Sequence, residues 1–89
     1  MITKTFTILN QSGFSERPAG VLCDSAKDFS SDVKFNFNGK YYDVKNATSI
    51  LSSNAKCGEE ITFIVDGPDE DDLITVIENG INSKFGEER

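Results

Sequence analysis

The sequence predicts an α+β fold: a four-stranded antiparallel sheet covered on one face by three helices, in the order β-α-β-β-α-β-α. Three observations carry this expectation. TKTFTIL near the start and EITFIVDG beyond residue 60 alternate apolar and polar residues with period two, as half-buried strands do. VKFNFNGKYYDV alternates on either side of Asn38-Gly39, the pair best suited to a tight hairpin. From residue 73 onward the apolar residues recur at helical spacing.

The first strand is expected over about Thr3–Leu9, with Phe6 and Ile8 facing inward. A Gly13 loop follows, and then a helix over about Glu16–Phe29, with Val21, Leu22, Ala26 and Phe29 on its inner face. Pro18 falls in its first turn, where a missing N–H leaves nothing unsatisfied. Strands two and three pair across the Asn38-Gly39 hairpin, with Val33, Phe35 and Phe37 pointing one way and Lys34 and Asn36 the other. A short helix over Ala47–Ser53 is capped by Asn46, buries Ile50 and Leu51, and is ended by Lys56-Cys57-Gly58.

Strand four turns Ile61, Phe63 and Val65 inward and ends at the Gly67-Pro68 turn. The last helix has Leu73, Ile74, Ile77, Ile81 and Phe85 as its inner stripe. Asp69, Glu70, Asp71 and Asp72 crowd its start, where carboxylates favour the positive end of the helix dipole. This run is read as a solvated helix start, with a cation site as the alternative. No repeat, linker or low-complexity stretch interrupts the chain, and residues 1–89 are expected to form one domain.

Fifteen acidic against nine basic residues give a net charge of -6, which repels nucleic acid and anionic lipid. The opening MITKTFTIL lacks the features of a signal peptide, and no apolar run approaches membrane-spanning length, so a cytoplasmic protein is expected. Cys23 and Cys57 form no CxxC pair and are read as free thiols. The chain contains no histidine, which removes the commonest ligand of transition metals and the commonest proton-transfer group at neutral pH. Neither a metal nor a cofactor is expected, and an enzyme acting alone is disfavoured.

In Gly13-Phe14-Ser15-Glu16-Arg17-Pro18-Ala19, Asn38-Gly39-Lys40 and the Gly58–Gly67 segment, the chain resembles the HPr family, the small phosphocarriers of the bacterial sugar phosphotransferase system. The resemblance spans nearly the whole chain. It implies an HPr-like open-faced sandwich and protein partners, either phosphotransferase components or a regulator. In that family a loop histidine accepts a phosphoryl group from enzyme I; the matching position here is Ser15. A serine phosphate ester is far more stable than a phosphoimidazole, so carriage of phosphate on histidine is not expected. The family's regulatory serine matches Asn46, which can cap a helix but cannot be phosphorylated.

Two roles are open to Ser15: a helix cap whose oxygen accepts from a backbone N–H, or a member of an oxyanion site with Ser12 and Arg17. Glu16 opposes the second by placing a negative charge beside it. The family's docking surface maps to Phe14, Arg17, Gly20, Lys45, Ala47, Thr48 and Leu51. Phe14 is either an exposed anchor or packed over the core edge. The leading functional expectation is a binding or regulatory paralogue. The alternatives are a switch phosphorylated on Ser15, Thr48 or Ser49, and a structural or oligomer module.

Overall fold

In the computed structural model, which describes residues 1–86, the chain runs β1 (Ile2–Thr7), α1 (Glu16–Lys27), β2 (Asp32–Phe37), β3 (Lys40–Asp43), α2 (Ala47–Ser52), β4 (Glu60–Asp66) and α3 (Glu70–Asn82), followed by a 3-10 turn at Lys84–Gly86. The strands form one antiparallel sheet in the order β1-β4-β2-β3. This is the architecture expected from the alternation and the helical stripe. The hairpin between β2 and β3 turns at Asn38 and Gly39, both with positive φ (54° and 81°), as a two-residue loop of this twist requires.

Alternation decides which face is covered. Val33, Phe35 and Phe37 of β2 and Ile61, Phe63 and Val65 of β4 point toward the helices and are buried. Phe35 lies at the centre: it stacks on Tyr42 at 5.2 Å, tilts against Phe63 at 5.6 Å and meets the edge of Phe14 at 5.4 Å. Each such aromatic pair adds about 0.5–1.5 kcal/mol beyond its area burial. Above the sheet α1 packs between α2 and α3, with α3 lying over β1 and β4, and α2 beside β3.

Several boundaries differ from the sequence expectation. β1 ends at Thr7, because Ile8 and the residues after it leave the ladder to pair with the loop before β4 (Ile8 N–H to the Glu59 carbonyl, 2.9 Å). α1 ends at Lys27, with Asp28 as its C-cap, so half-buried Phe29 lies beyond the helix. Val21 points outward, 37% exposed, while Pro18, Ala19, Leu22 and Ala26 form the inner face. α2 stops at Ser52, ahead of the Lys56-Cys57-Gly58 stop, because Asn54 turns the chain with φ at 57°. Within α2 Ile50 is fully buried and Leu51 half-buried.

Phe85 falls outside α3. It is nevertheless buried, because the turn after the helix (φ 53° at Phe85) folds its ring back against Phe14 at 5.9 Å. The acidic start of α3 is not a uniformly solvated run either. Asp69 makes no side-chain cap bond and instead accepts from Ser30 and Ser31, while Glu70 accepts from the Gly67 N–H and pairs with the Met1 amine. Both carboxylates are committed within the fold. Cys23 is half-buried and Cys57 exposed, and both are free.

Candidate functional site

The loop between β1 and α1 is positioned by its backbone. Gly13 has φ at +62°, and a Cβ there would collide with the Ala55 carbonyl and the Lys56 backbone, so only glycine fits without strain. The Phe14 N–H donates to the Ala55 carbonyl at 2.9 Å, and buried Asn10 closes the loop from within by donating its Nδ2 to the Gly13 carbonyl at 2.6 Å. The segment entering α1 is thereby docked on the segment leaving α2. Phe14 inserts beneath it, only 2% exposed, so it is a core side chain and not an accessible anchor.

Ser15 is the N-cap of α1 by backbone conformation (φ -78°, ψ -174°), and its carbonyl accepts the first helical bond, from the Ala19 N–H at 2.9 Å. Its hydroxyl makes no cap bond. The expected side-chain cap is therefore absent, and the half-buried hydroxyl faces a cavity of about 320 Å³ lined by Gln11, Ser12, Ser15, Asn54, Ala55 and Lys56, with Phe14 at its wall. Of the expected anion set, Ser12 and Ser15 meet here, whereas exposed Arg17 is not part of the lining.

The basic residue of the lining is instead Lys56, an exposed residue. Sequence reasoning missed it, along with Gln11 and Asn54, because only the docking of one loop on the other brings them beside Ser15. The available signal was Asn54, a residue type that tolerates left-handed backbone and so marks a turn into the site. The N-terminus of α1, Ser12, Ser15 and the cationic residue Lys56 border one small cavity, a combination of residue types suited to an oxyanion. Glu16, exposed in the first turn of α1, adds the opposing charge.

The second group of site residues lies across α1 and α2. Asn46 caps α2 through its Oδ1, which accepts from the Thr48 N–H at 3.0 Å and the Ser49 N–H at 3.4 Å. The Ser49 hydroxyl oxygen accepts from the Asp43 N–H at 2.9 Å, while Thr48 is exposed. Arg17 is exposed, and Gly20, Ala47 and Leu51 are half-buried. Helical spacing sets Val21 in the same stripe as Arg17 and Gly20, so it adds apolar surface to this face. Lys45 does not: its Nζ donates to the Phe29 carbonyl at 2.6 Å, beyond the far end of α1. A twelve-residue helix is roughly 18 Å long, so the Lys45 charge is remote from Ser15.

A family model described as "PTS HPr component phosphorylation site" matches residues 2–83. The chain belongs to the HPr family. The phosphocarrier protein HPr of Treponema pallidum is 32% identical over 88 residues, covering 99% of this chain and 100% of the relative. Among solved structures, HPr from Thermoanaerobacter tengcongensis superposes with a TM-score of 0.95 at 31% identity, covering 100% of both chains. The histidine-containing phosphocarrier protein of a Mycoplasma gives 0.87 at 31% identity, covering 93% of this chain and 96% of that one. HPr is a phosphocarrier of the phosphotransferase system rather than an enzyme in its own right. Among the described residues no helix is long and apolar enough to cross a membrane.

Proposed function

We propose that this HPr-family chain acts in the cytoplasm by binding protein partners, and that it does not relay phosphate through histidine. One observation carries the reading: there is no histidine in 89 residues, and the loop position matching the family's phospho-acceptor holds Ser15. A hydroxyl is a weak nucleophile unless a base activates it, and its phosphate ester would not pass the group onward. What remains is the fold and the α1–α2 face carrying Arg17, Val21, Thr48 and Leu51. That face suits a phosphotransferase component or a regulator whose own surface is apolar at its centre and acidic near Arg17.

The test is incubation with enzyme I and phosphoenolpyruvate and, separately, with HPr kinase and ATP, followed by intact mass. The reading predicts no added phosphate in either reaction, together with recovery of a phosphotransferase component or regulator through the α1–α2 face. An acid-labile phosphate would overturn it.

A second reading is a switch phosphorylated on a hydroxyl. It is favoured by the Ser15 side chain, which is not consumed by capping and opens on the Lys56 cavity. A phosphate there gains from the start of α1 and from Lys56 and is opposed by Glu16. Thr48, exposed at the start of α2, is the other accessible acceptor, and Ser49 is less available because its oxygen holds the Asp43 amide. This reading predicts an acid-stable phosphate on the Ser15 or Thr48 peptide of protein taken from its native cell.

A further inference from the structure

The last turn of α3 is where local pattern and observed backbone disagree. Leu73, Ile77, Ile81 and Phe85 fall four residues apart, Lys84 suits the negative end of a helix dipole, and Gly86 is the residue type that most often ends a helix. These residues write a helix through Phe85. The chain instead leaves the helix after Asn82 and takes Lys84 and Phe85 through positive φ, at 59° and 53°. We propose that this segment is a two-state latch on the Ser15 loop. It is closed as observed, with the Phe85 ring against Phe14, and open when α3 continues helically through Phe85 and withdraws the ring.

The closed state is strained. An L-residue in the left-handed region sets its Cβ against the following carbonyl. Among the described residues, the other non-glycine positions with positive φ are Asn38 and Asn54, a residue type that tolerates that region. Lys84 and Phe85 have no such allowance, and a bulky side chain there is a rare outlier. In the same turn the Ser83 hydroxyl donates to the Gly80 carbonyl at 3.1 Å, taking the acceptor that the Lys84 N–H would use in a continued helix.

Burial of one ring holds this strain in place. Phe85 is buried edge-on to Phe14, with centroids 5.9 Å apart, and lies so close to α3 that a Cβ on Gly80 would meet its Cε1 at 3.3 Å. Gly80 thus makes the seat for the ring, although glycine inside a helix is itself unfavourable. Backbone strain persists only where the surroundings over-determine it, and it gathers at switch segments.

Opening reaches the candidate site through Phe14. Helical continuation carries Phe85 about 7.5 Å along the axis from Gly80, off its seat. Phe14 then keeps its contact with Phe35 and loses the one with Phe85. Its backbone belongs to the loop that presents Ser15 and enters α1, so the latch sets how firmly that loop is held to the Ala55 carbonyl. A partner that needs the ordered loop closes the latch, and one that draws the loop away opens it.

The experiment is NMR relaxation dispersion on the full chain, with Lys84→Gly and Lys84→Ile beside the parent. Lys84 is exposed, so neither variant disturbs the core. Glycine removes the Cβ clash of the closed state and weakens the helix of the open one, which lowers the open population at least about fivefold. Isoleucine, being β-branched, is a severe outlier at positive φ and raises it. The proposal expects millisecond exchange at the Gly13, Phe14, Gly80 and Phe85 amides that is quenched in Lys84→Gly and enlarged in Lys84→Ile. It also expects the Cα shifts of residues 84 and 85 in Lys84→Ile to move toward helical values. Exchange confined to residues 83–86, with no response at Gly13 or Phe14, overturns the proposal, since the latch would not reach the loop. Equal loop dispersion in all three chains, none included, overturns it as well. So does a Lys84→Ile turn that opens without gaining helix.

Discussion

Asp69 and Ser31, 38 residues apart in sequence, hold each other reciprocally. The Ser31 hydroxyl and N–H both donate to Asp69 Oδ1, the Ser30 N–H donates to Oδ2 at 2.9 Å, and the Asp69 N–H returns a bond to the Ser31 oxygen at 3.2 Å. Gly67 lies so close to Ser31 that a side chain there would collide with it. The connection between α1 and β2 is thereby fastened to the start of α3.

This pair makes stability depend on acid. The Ser31 hydroxyl bond, followed by the Ser30 amide, holds the Asp69 carboxyl below its ordinary value, and the Gly67 amide and the Met1 amine do the same for Glu70. A carboxylate depressed in the folded state contributes stability above its unfolded pKa and loses it as pH falls through the folded one. The urea midpoint is therefore expected to fall as pH is lowered below about 4, the ordinary carboxylate range. Asp69→Asn is expected to lower the neutral-pH midpoint and flatten that acid limb. An unchanged limb in the variant would assign acid sensitivity elsewhere.

The Met1 amine works in the opposite direction. Its bond to Glu70 raises its pKa, so its contribution is complete below the unfolded value near 8 and is lost as pH rises through the folded one. Acetylating the amine is expected to remove this alkaline loss, as read from urea midpoints between neutral pH and pH 10.

Ser15 and Asn46 occupy matching cap positions, but only one caps with its side chain. Asn46→Ala is expected to cost about 1 kcal/mol. Ser15→Ala is expected to stay within about 0.5 kcal/mol of the parent, because no hydrogen bond is lost. Chemical denaturation of the two variants side by side measures this difference, and equal losses would mean that Ser15 caps in solution.

Phe14→Ala is expected to destabilise by about 3–5 kcal/mol, since it empties a site walled by Phe35 and Phe85. Partner binding should weaken only to the extent that the protein unfolds. A well-folded variant that loses affinity outright would return Phe14 to the docking surface.

Ser15→His tests whether the rest of the loop still supports the family's chemistry. With Ser12 and the start of α1 in place, this variant is expected to take up an acid-labile phosphate from enzyme I and phosphoenolpyruvate, slowed by Glu16. Adding Glu16→Ala should raise the rate, read as intact mass against time. No uptake by either variant would show that the docking face, too, has diverged.

Local pattern foretold the parts of the fold that depend on it. Period-two alternation through Phe35 and Phe63, the Asn38-Gly39 turn and the helical stripe from Leu73 to Ile81 each reflect a backbone geometry acting on adjacent residues. The candidate site was less legible, because it is made by one loop docking on another. Phe14 beneath the loop, Lys56 beside Ser15 and Lys45 turned toward Phe29 are set by contacts distant in sequence. Val21 was misplaced for another reason: Leu22 beside it belongs to the inner face, and single-residue spacing does not separate two apolar neighbours at that rim.

The strand order carries a consequence for synthesis. β1 has β4 as its sheet neighbour, and β2 bonds to β4 as well, so the sheet cannot assemble until residues 60–66 have left the ribosome. At ordinary elongation rates that wait is roughly 3–12 s after β1 is made. Until then the nascent chain can form little more than the β2–β3 hairpin and fluctuating helices, neither stable alone. β1 spends that interval as an unpaired strand open to capture by a chaperone or by a neighbouring chain, and a pause in translation ahead of β4 lengthens its exposure.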